Sequence, residues 1–111
     1  MDIENQTSAR LKVEYRKVAD LIPYARNARM HSTEQVARIA SSIKEFGWTN
    51  PILVDGENGV IAGHGRLAAA IKLNMSEVPV IELSGLSGTQ KRAYILADNK
   101  LALDAGWDES F

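Results

Sequence analysis

Val60-Ile61-Ala62-Gly63-His64-Gly65-Arg66-Leu67-Ala68-Ala69-Ala70 is the stretch that decides the fold. A β-branched run gives way to a glycine turn, and the turn opens into alanine- and leucine-rich sequence that continues to Leu73. That order predicts a strand, a turn and a helix start, with the helix over roughly Arg66–Leu73 and Asn74 as its C-cap. A helix N-terminus carries unpaired N–H groups and the positive end of the helix dipole. Two glycines let backbone approach a ligand closely, and Arg66 adds a planar, permanently charged fork in the first turn. Two readings stand side by side: an anion or phosphate site, and a tight turn whose arginine is merely solvated.

Working outward, Asp55-Gly56-Glu57-Asn58-Gly59 has hairpin-turn chemistry and joins Val60–Ala62 to a short buried strand, Ile52-Leu53-Val54. Asn50-Pro51 restarts extended structure after the clearest helix of the chain. Ser32 or Thr33 can cap that helix, and Ser32 with Gln35 has capping-box spacing. Val36, Ile39, Ala40, Ile43 and Phe46 define its buried face, and Gly47 stands where a left-handed C-terminal glycine is expected. Before it, residues 1–10 read as a flexible leader. Leu11–Tyr15 alternates like a half-buried strand, Val18–Ile22 is a short apolar turn stopped by Pro23, and Tyr24–His31 reads as an ordered loop carrying Arg26 and Arg29. On the far side, Val78–Leu83 is a strand whose Pro79 places it near an edge or a strand start. Ser84–Gly88 is a loop, and Thr89 can cap a last helix over about Gln90–Leu103, ended by Gly106-Trp107.

The pattern is β–α–ββ–α–β–α. A hairpin at 52–62 excludes an all-parallel doubly wound sheet, so the expected fold is α+β. It is one domain over 11–111, a small mixed sheet with a hairpin and about three helices. At 111 residues, 45% hydrophobic and 24% charged, the composition is that of an ordinary globular domain. No apolar run is long enough for a membrane span, and the acidic, polar Met1–Gln6 is no signal peptide. Zero cysteines exclude a disulfide framework, a thiolate metal site and a cysteine nucleophile. A cytoplasmic protein is expected.

Net charge is −1, yet Arg10, Lys12, Arg16, Lys17, Arg26, Arg29 and Arg38 face only Glu14, Asp20 and Glu34 in the N-terminal third. Arg16, Lys17, Arg26 and Arg29 are therefore the candidates for contact with DNA, against the alternative of an ordinary solvated surface. Tyr24 could stack on a base. Of the two histidines, His64 lies in the glycine turn and is the better candidate for a catalytic or phosphate-facing imidazole, whereas His31 reads as a hydrogen-bonding loop residue. No ligand spacing supports a metal site, no serine triad can be assembled, and the Walker and dinucleotide glycine patterns are absent. Asp98-Asn99 are poor helix formers set mid-helix. They read either as a functional pair or as a solvent-facing one. Trp48 and Trp107 read as packing residues.

Taken together these residues resemble the ParB/sulfiredoxin domain, also called the ParB-like nuclease domain, from about Val13 to Trp107. Leu21-Ile22-Pro23 with Asn27 and Arg29 is similar to the family's first loop. Ile39–Gly47 followed by Asn50–Val54 is similar to its helix–glycine–strand block, and Gly63-His64-Gly65-Arg66 to its Gly-x-x-Arg phosphate motif. Sulfiredoxins carry their catalytic cysteine at the position of His64, so their reductase chemistry is excluded here. Partition proteins read Gly-Glu-Arg-Arg-x-Arg, whereas this chain has His64, Gly65 and Ala68 and keeps Arg66 as the motif's one arginine. Ile22–Arg29, Gly47–Asp55 and Leu96–Lys100 look like the ParB-like domain that precedes phage or prophage DNA modification methylases. The end at Ser110-Phe111 is then expected to be a cut within a longer chain.

The resemblance implies a nucleotide- or phosphate-binding accessory domain of a bacterial or phage-encoded DNA methyltransferase. Its site would join Gly63, His64, Gly65, Arg66, Asn27, Arg29, Asp98 and Asn99, and its ligand would be CTP or ATP with Mg2+. DNA and the methyltransferase are the implied partners, with a homodimer by analogy with partition proteins. Two other readings stay open: a nuclease or nucleotide hydrolase using His64, Asp98 or Glu34, and a non-catalytic protein-interaction module.

Overall fold

The computed structural model describes residues 11–104, and side chains as far as Asp98. Strands β1 (Val13–Lys17), β2 (Ile52–Val54), β3 (Val60–Ala62) and β4 (Glu77–Glu82) form one sheet in the order β1-β4-β2-β3. β1 and β4 are antiparallel, β4 and β2 parallel, and β2 and β3 an antiparallel hairpin with a bulge between Leu53 and Val54. The helices are α1 (Ala25–Ala28), α2 (Thr33–Phe46), α3 (His64–Lys72) and α4 (Gly88–Asp104). The α+β class and the mixed sheet are as expected, but the α-helices number four among the described residues. One turn of helix, α1, occupies the stretch expected to be a loop; four residues are too few to show a period.

The core lies between the sheet and α3. Ile52, Val54, Val60, Val78 and Val80 are sealed against Leu67 and Ala70, with Leu21 closing one end. Burying such a side chain contributes roughly 1.5–3 kcal/mol. A second cluster joins Ile39 and Ala40 of α2 to Ala69 of α3. The Ser32–Gln35 capping box starts α2 as expected. Phe46, expected on the buried face, is 71% exposed: it is the final residue of α2, and the chain turns at Gly47 so that Trp48 packs toward the core instead.

The remaining strands and the last cap refine the expectations. The strand expected at Leu11–Tyr15 is shifted to Val13–Lys17, and it is exposed rather than half-buried, only Arg16 being partly covered. As an edge strand it has a neighbour on one side only among the described residues. Of the two places expected for Pro79, the edge is not met, since β4 is interior to the sheet, but the strand start is: the buried Pro79 is the third residue of β4, one before the pairing with β2 begins at Val80. The cap of α4 is Ser87, not Thr89. The Ser87 hydroxyl accepts from the Gln90 N–H at 3.0 Å, and Gln90 Oε1 accepts from the Ser87 N–H at 2.9 Å.

Candidate functional site

The glycine turn leaves β3 and enters α3 with no side-chain cap. Gly63 holds φ 101° and ψ 24°, and a Cβ there would lie 3.2 Å from Ile52 Cγ1 and 3.3 Å from Ile52 Cα. Only glycine meets both demands without strain. The helical ladder begins with Leu67 N–H donating to Gly63 O at 2.9 Å, which leaves the N–H groups of His64, Gly65 and Arg66 outside it. The helix starts two residues earlier than expected, so His64 is its first residue.

Gly65 serves a different purpose from Gly63. A Cβ on it would come within 2.9 Å of Ile39 Cδ1 and 3.0 Å of His31 Cε1. The missing side chain therefore lets α2 and the His31 ring close over the first turn of α3. His31, half-buried between α1 and α2, also senses Arg66: burial first, then the guanidinium, hold its imidazole below the usual value.

His64 is 4% exposed, and its Nε2 accepts the Tyr24 backbone N–H at 2.9 Å. Burial, then the neighbouring His31, lower its pKa to about 4. The ring is thus neutral with its proton on Nδ1, a buried atom with no hydrogen-bond partner among the described residues. A catalytic base at His64 would first have to give up the Tyr24 bond. Asn27, also buried, donates from Nδ2 to the Ile95 carbonyl of α4 at 3.2 Å, while its Oδ1 has no partner among the described residues.

Arg66 is half-buried. Burial depresses its pKa and Asp98 opposes the depression; burial raises the pKa of Asp98 and Arg66 opposes that. Asp98 is therefore no solvent-facing residue: α4 brings it into the field of Arg66. A polar cavity of about 200 Å³ opens beside the guanidinium, lined among others by Ser42, Gly47, Trp48 and Asn50. The structure thus brings together Gly63, His64, Gly65 and Arg66 at the start of α3, with Asn27 against α4 and Asp98 facing Arg66. Arg29 is exposed, and the side chain of Asn99 lies outside the described residues, as does Trp107.

Of the residues singled out for DNA, Lys17, Arg26 and Arg29 are exposed. Arg16 is engaged within the fold instead, donating at 2.6 Å to both Glu82 and Asn58 Oδ1. Among the described residues no group of three or more His, Cys, Asp or Glu could hold a metal ion. No helix there is long and apolar enough to cross a membrane. The contacts of Tyr24, Ile95 and His31 with the site had no local signal, since backbone groups and ring packing across tens of residues leave no mark on spacing.

The ParB N-terminal domain model matches residues 2–100. The chain is 59% identical over 85 residues to the ParB-like nuclease domain-containing protein YnaK of Escherichia coli K12, covering 77% of this chain and 98% of that one. By structure it is similar to a C-terminally truncated chromosome-partitioning protein ParB from Caulobacter crescentus, complexed with CTP-gamma-S, at a TM-score of 0.68 and 23% identity. That likeness spans 79% of this chain and 52% of the Caulobacter chain. It is also similar to sulfiredoxin from Arabidopsis thaliana, at a TM-score of 0.64 and 18% identity over 76% of this chain and 97% of that one. The chain with the open glycine turn and Arg66 belongs to the ParB N-terminal domain family.

Proposed function

We propose that this chain binds the phosphates of a nucleotide at the start of α3 and works beside DNA as the accessory domain of a DNA methyltransferase. The observation that carries the reading is the open first turn of α3. The N–H groups of residues 64–66 lie outside the helical ladder, and the half-buried Arg66 stands in the same turn. Anions are favoured at such an end by the unpaired donors and by the helix dipole. The structural relative complexed with a CTP analogue supports the nucleotide class, and CTP or ATP is the first ligand to test.

The roles follow from the geometry. Backbone N–H groups of the turn hold phosphate oxygens. Arg66 neutralises charge with a fork suited to two oxygens. The buried Nδ1–H of His64 and Oδ1 of Asn27 supply a donor and an acceptor that have no partner among the described residues. Mg2+, where it takes part, is carried by the phosphates, because the described residues hold no carboxylate cluster for it. Lys17, Arg26 and Arg29 are exposed and are the cations offered to DNA. Such cations bind phosphate backbone without reading sequence, and their affinity falls with salt.

Calorimetric titration with CTP, ATP and a short duplex tests the assignment. Arg66→Ala is expected to weaken nucleotide binding by about 1.5–3 kcal/mol, the size of a charged hydrogen bond, and to leave duplex binding unchanged. Equal nucleotide affinity in the variant and the parent chain overturns the site.

A further inference from the structure

The turn between β2 and β3 is fixed by two charged side chains that take no part in the start of α3. Asp55 Oδ1 accepts the N–H groups of Glu57 at 2.7 Å and Gly59 at 2.8 Å, while its Oδ2 takes the Lys91 ammonium at 2.8 Å. Arg16 of β1 donates to Asn58 Oδ1 at 2.6 Å and is itself held by Glu82 at 2.6 Å. Asn58 stands at φ 67°, a left-handed backbone that asparagine and glycine tolerate best. At Gly59 a Cβ would lie 2.7 Å from Asp55 Oδ2 and push the carboxylate off its partners. The turn therefore demands Asn-Gly at 58–59, and Asn58 is the one asparagine of the chain that precedes a glycine.

That dipeptide carries a chemical hazard, because no side chain on the glycine shields its nitrogen from the asparagine amide. We propose that Asn58-Gly59 is a latent deamidation site, held closed by Asp55 on the attacking nitrogen and by Arg16 on the attacked amide. The reaction needs only water. The Gly59 nitrogen gives its proton to solvent and bonds to Asn58 Cγ. The Cγ–Nδ2 bond then breaks, and ammonia leaves with a proton taken back from solvent. Water opens the resulting succinimide at either carbonyl, giving aspartate or isoaspartate at position 58.

Each contact opposes a different part of that sequence. The attacking nitrogen must become anionic, and the Asp55 carboxylate sets a like charge beside it, which disfavours that form. Asp55 stays ionised: burial works against its charge, but Lys91 and the two N–H groups outweigh burial and hold it below the usual carboxylate value. It is correspondingly a weak base for the Gly59 proton. Attack also needs the amide carbon brought over the nitrogen. Arg16 fixes the amide oxygen, and the backbone is pinned as well, with Ile22 N–H on Asn58 O at 2.8 Å and Val60 N–H on Ile22 O at 2.9 Å. Isoaspartate adds an atom to the main chain at 58 and so disturbs those Ile22 bonds, two residues before the Tyr24 N–H that holds His64.

Peptide mass spectrometry of the whole chain, incubated at mildly alkaline pH and digested at intervals, tests this. The folded parent is expected to convert at position 58 about tenfold more slowly, or more, than the same chain unfolded in guanidinium chloride. Asp55→Ser keeps an acceptor oxygen without the charge, and Arg16→Ala releases the amide. Each is expected to convert several-fold faster than the parent, with circular dichroism unchanged. Asn74, also left-handed at φ 60° but followed by Met75, is the control within every digest and is expected to stay intact. The proposal is overturned if the unfolded chain does not convert at position 58, if the folded parent converts as fast as the unfolded one, or if either variant converts no faster than the parent.

Discussion

The starts of α2 and α3 solve the same problem in opposite ways. Ser32 holds φ −75° and ψ 165°, and its hydroxyl accepts from the Gln35 N–H at 3.1 Å while Gln35 Oε1 accepts from the Ser32 N–H at 2.8 Å. α4 repeats the device with Ser87 and Gln90. α3 starts on a left-handed glycine with no side-chain cap. A capping residue contributes about 1 kcal/mol, so the helix in the middle of the core forgoes stabilisation that its neighbours have. What it keeps is a row of unclaimed donors beside a charged arginine. The comparison teaches that neighbouring helices of one small fold can start with and without a side-chain cap, and the uncapped start is where the proposed phosphate site lies.

The neighbourhood of that end should fail first in acid. Folding holds the His64 ring neutral at a pKa of about 4, against 6.5 for an ordinary histidine. Between those values the unfolded chain binds the extra proton, so stability is complete above about pH 6.5 and falls as the pH drops toward 4. The loss amounts to about 3 kcal/mol by the bottom of the window. His31, lowered by burial and by Arg66, adds loss of the same sign. Denaturant melts at stepped pH should show this slope, and His64→Gln, which can still accept the Tyr24 N–H, should flatten much of it. An unchanged slope in that variant would place the acid sensitivity elsewhere and break the contrast between the two helix starts.

The next test tries to close the open end. Gly63→Ser puts a capping residue type at the start of α3, yet the serine cannot act as Ser32 does. Gly63 holds φ 101°, far from the extended geometry a capping side chain needs. The added Cβ also meets Ile52 Cγ1 at 3.2 Å. The expected result is a destabilisation of roughly 1–3 kcal/mol, from backbone strain and overpacking together. A Gly63→Ser protein that melts at or above the parent temperature would mean that the turn can relax into a cap.

These two starts were unequally legible in the sequence. The capping box of α2 is a local pattern, four residues wide, and its Ser-x-x-Gln spacing is enough to place it. The same Ser-x-x-Gln spacing stands at Ser87-Gly88-Thr89-Gln90, and the cap is Ser87, two residues before the expected Thr89. The hairpin, the α+β class and the strand–turn–helix order around Gly63 were legible because periodicity and turn chemistry are local. What makes the candidate site is not local. The Tyr24 N–H reaching His64, Asn27 fastened to Ile95, and His31 seated on Gly65 depend on how α1, α2 and α4 pack around α3. Exposure of Phe46 and of the β1 face was hidden for the same reason: alternation and helical spacing say which side chains share a face, and only packing says whether anything covers it.

The smallest effect gives the sharpest control. Replacing Ser32 with alanine removes the acceptor for the Gln35 N–H and is expected to cost about 1 kcal/mol, whereas replacing it with glycine should cost only a few tenths. Glycine at a cap exposes the backbone donors to water, which takes over the lost hydrogen bonds, while alanine shields them and returns nothing. At Gly63 the ranking is set by φ instead: alanine, like serine, is penalised for the left-handed backbone before any cap is considered. Thermal melts of Ser32→Gly, Ser32→Ala and Gly63→Ala therefore separate the two starts. Glycine should be the milder change at α2, and leaving glycine should be the costly change at α3. Equal losses for Ser32→Gly and Ser32→Ala would show that water does not reach the start of α2, and the difference between a closed and an open helix end would then lie in burial rather than in capping.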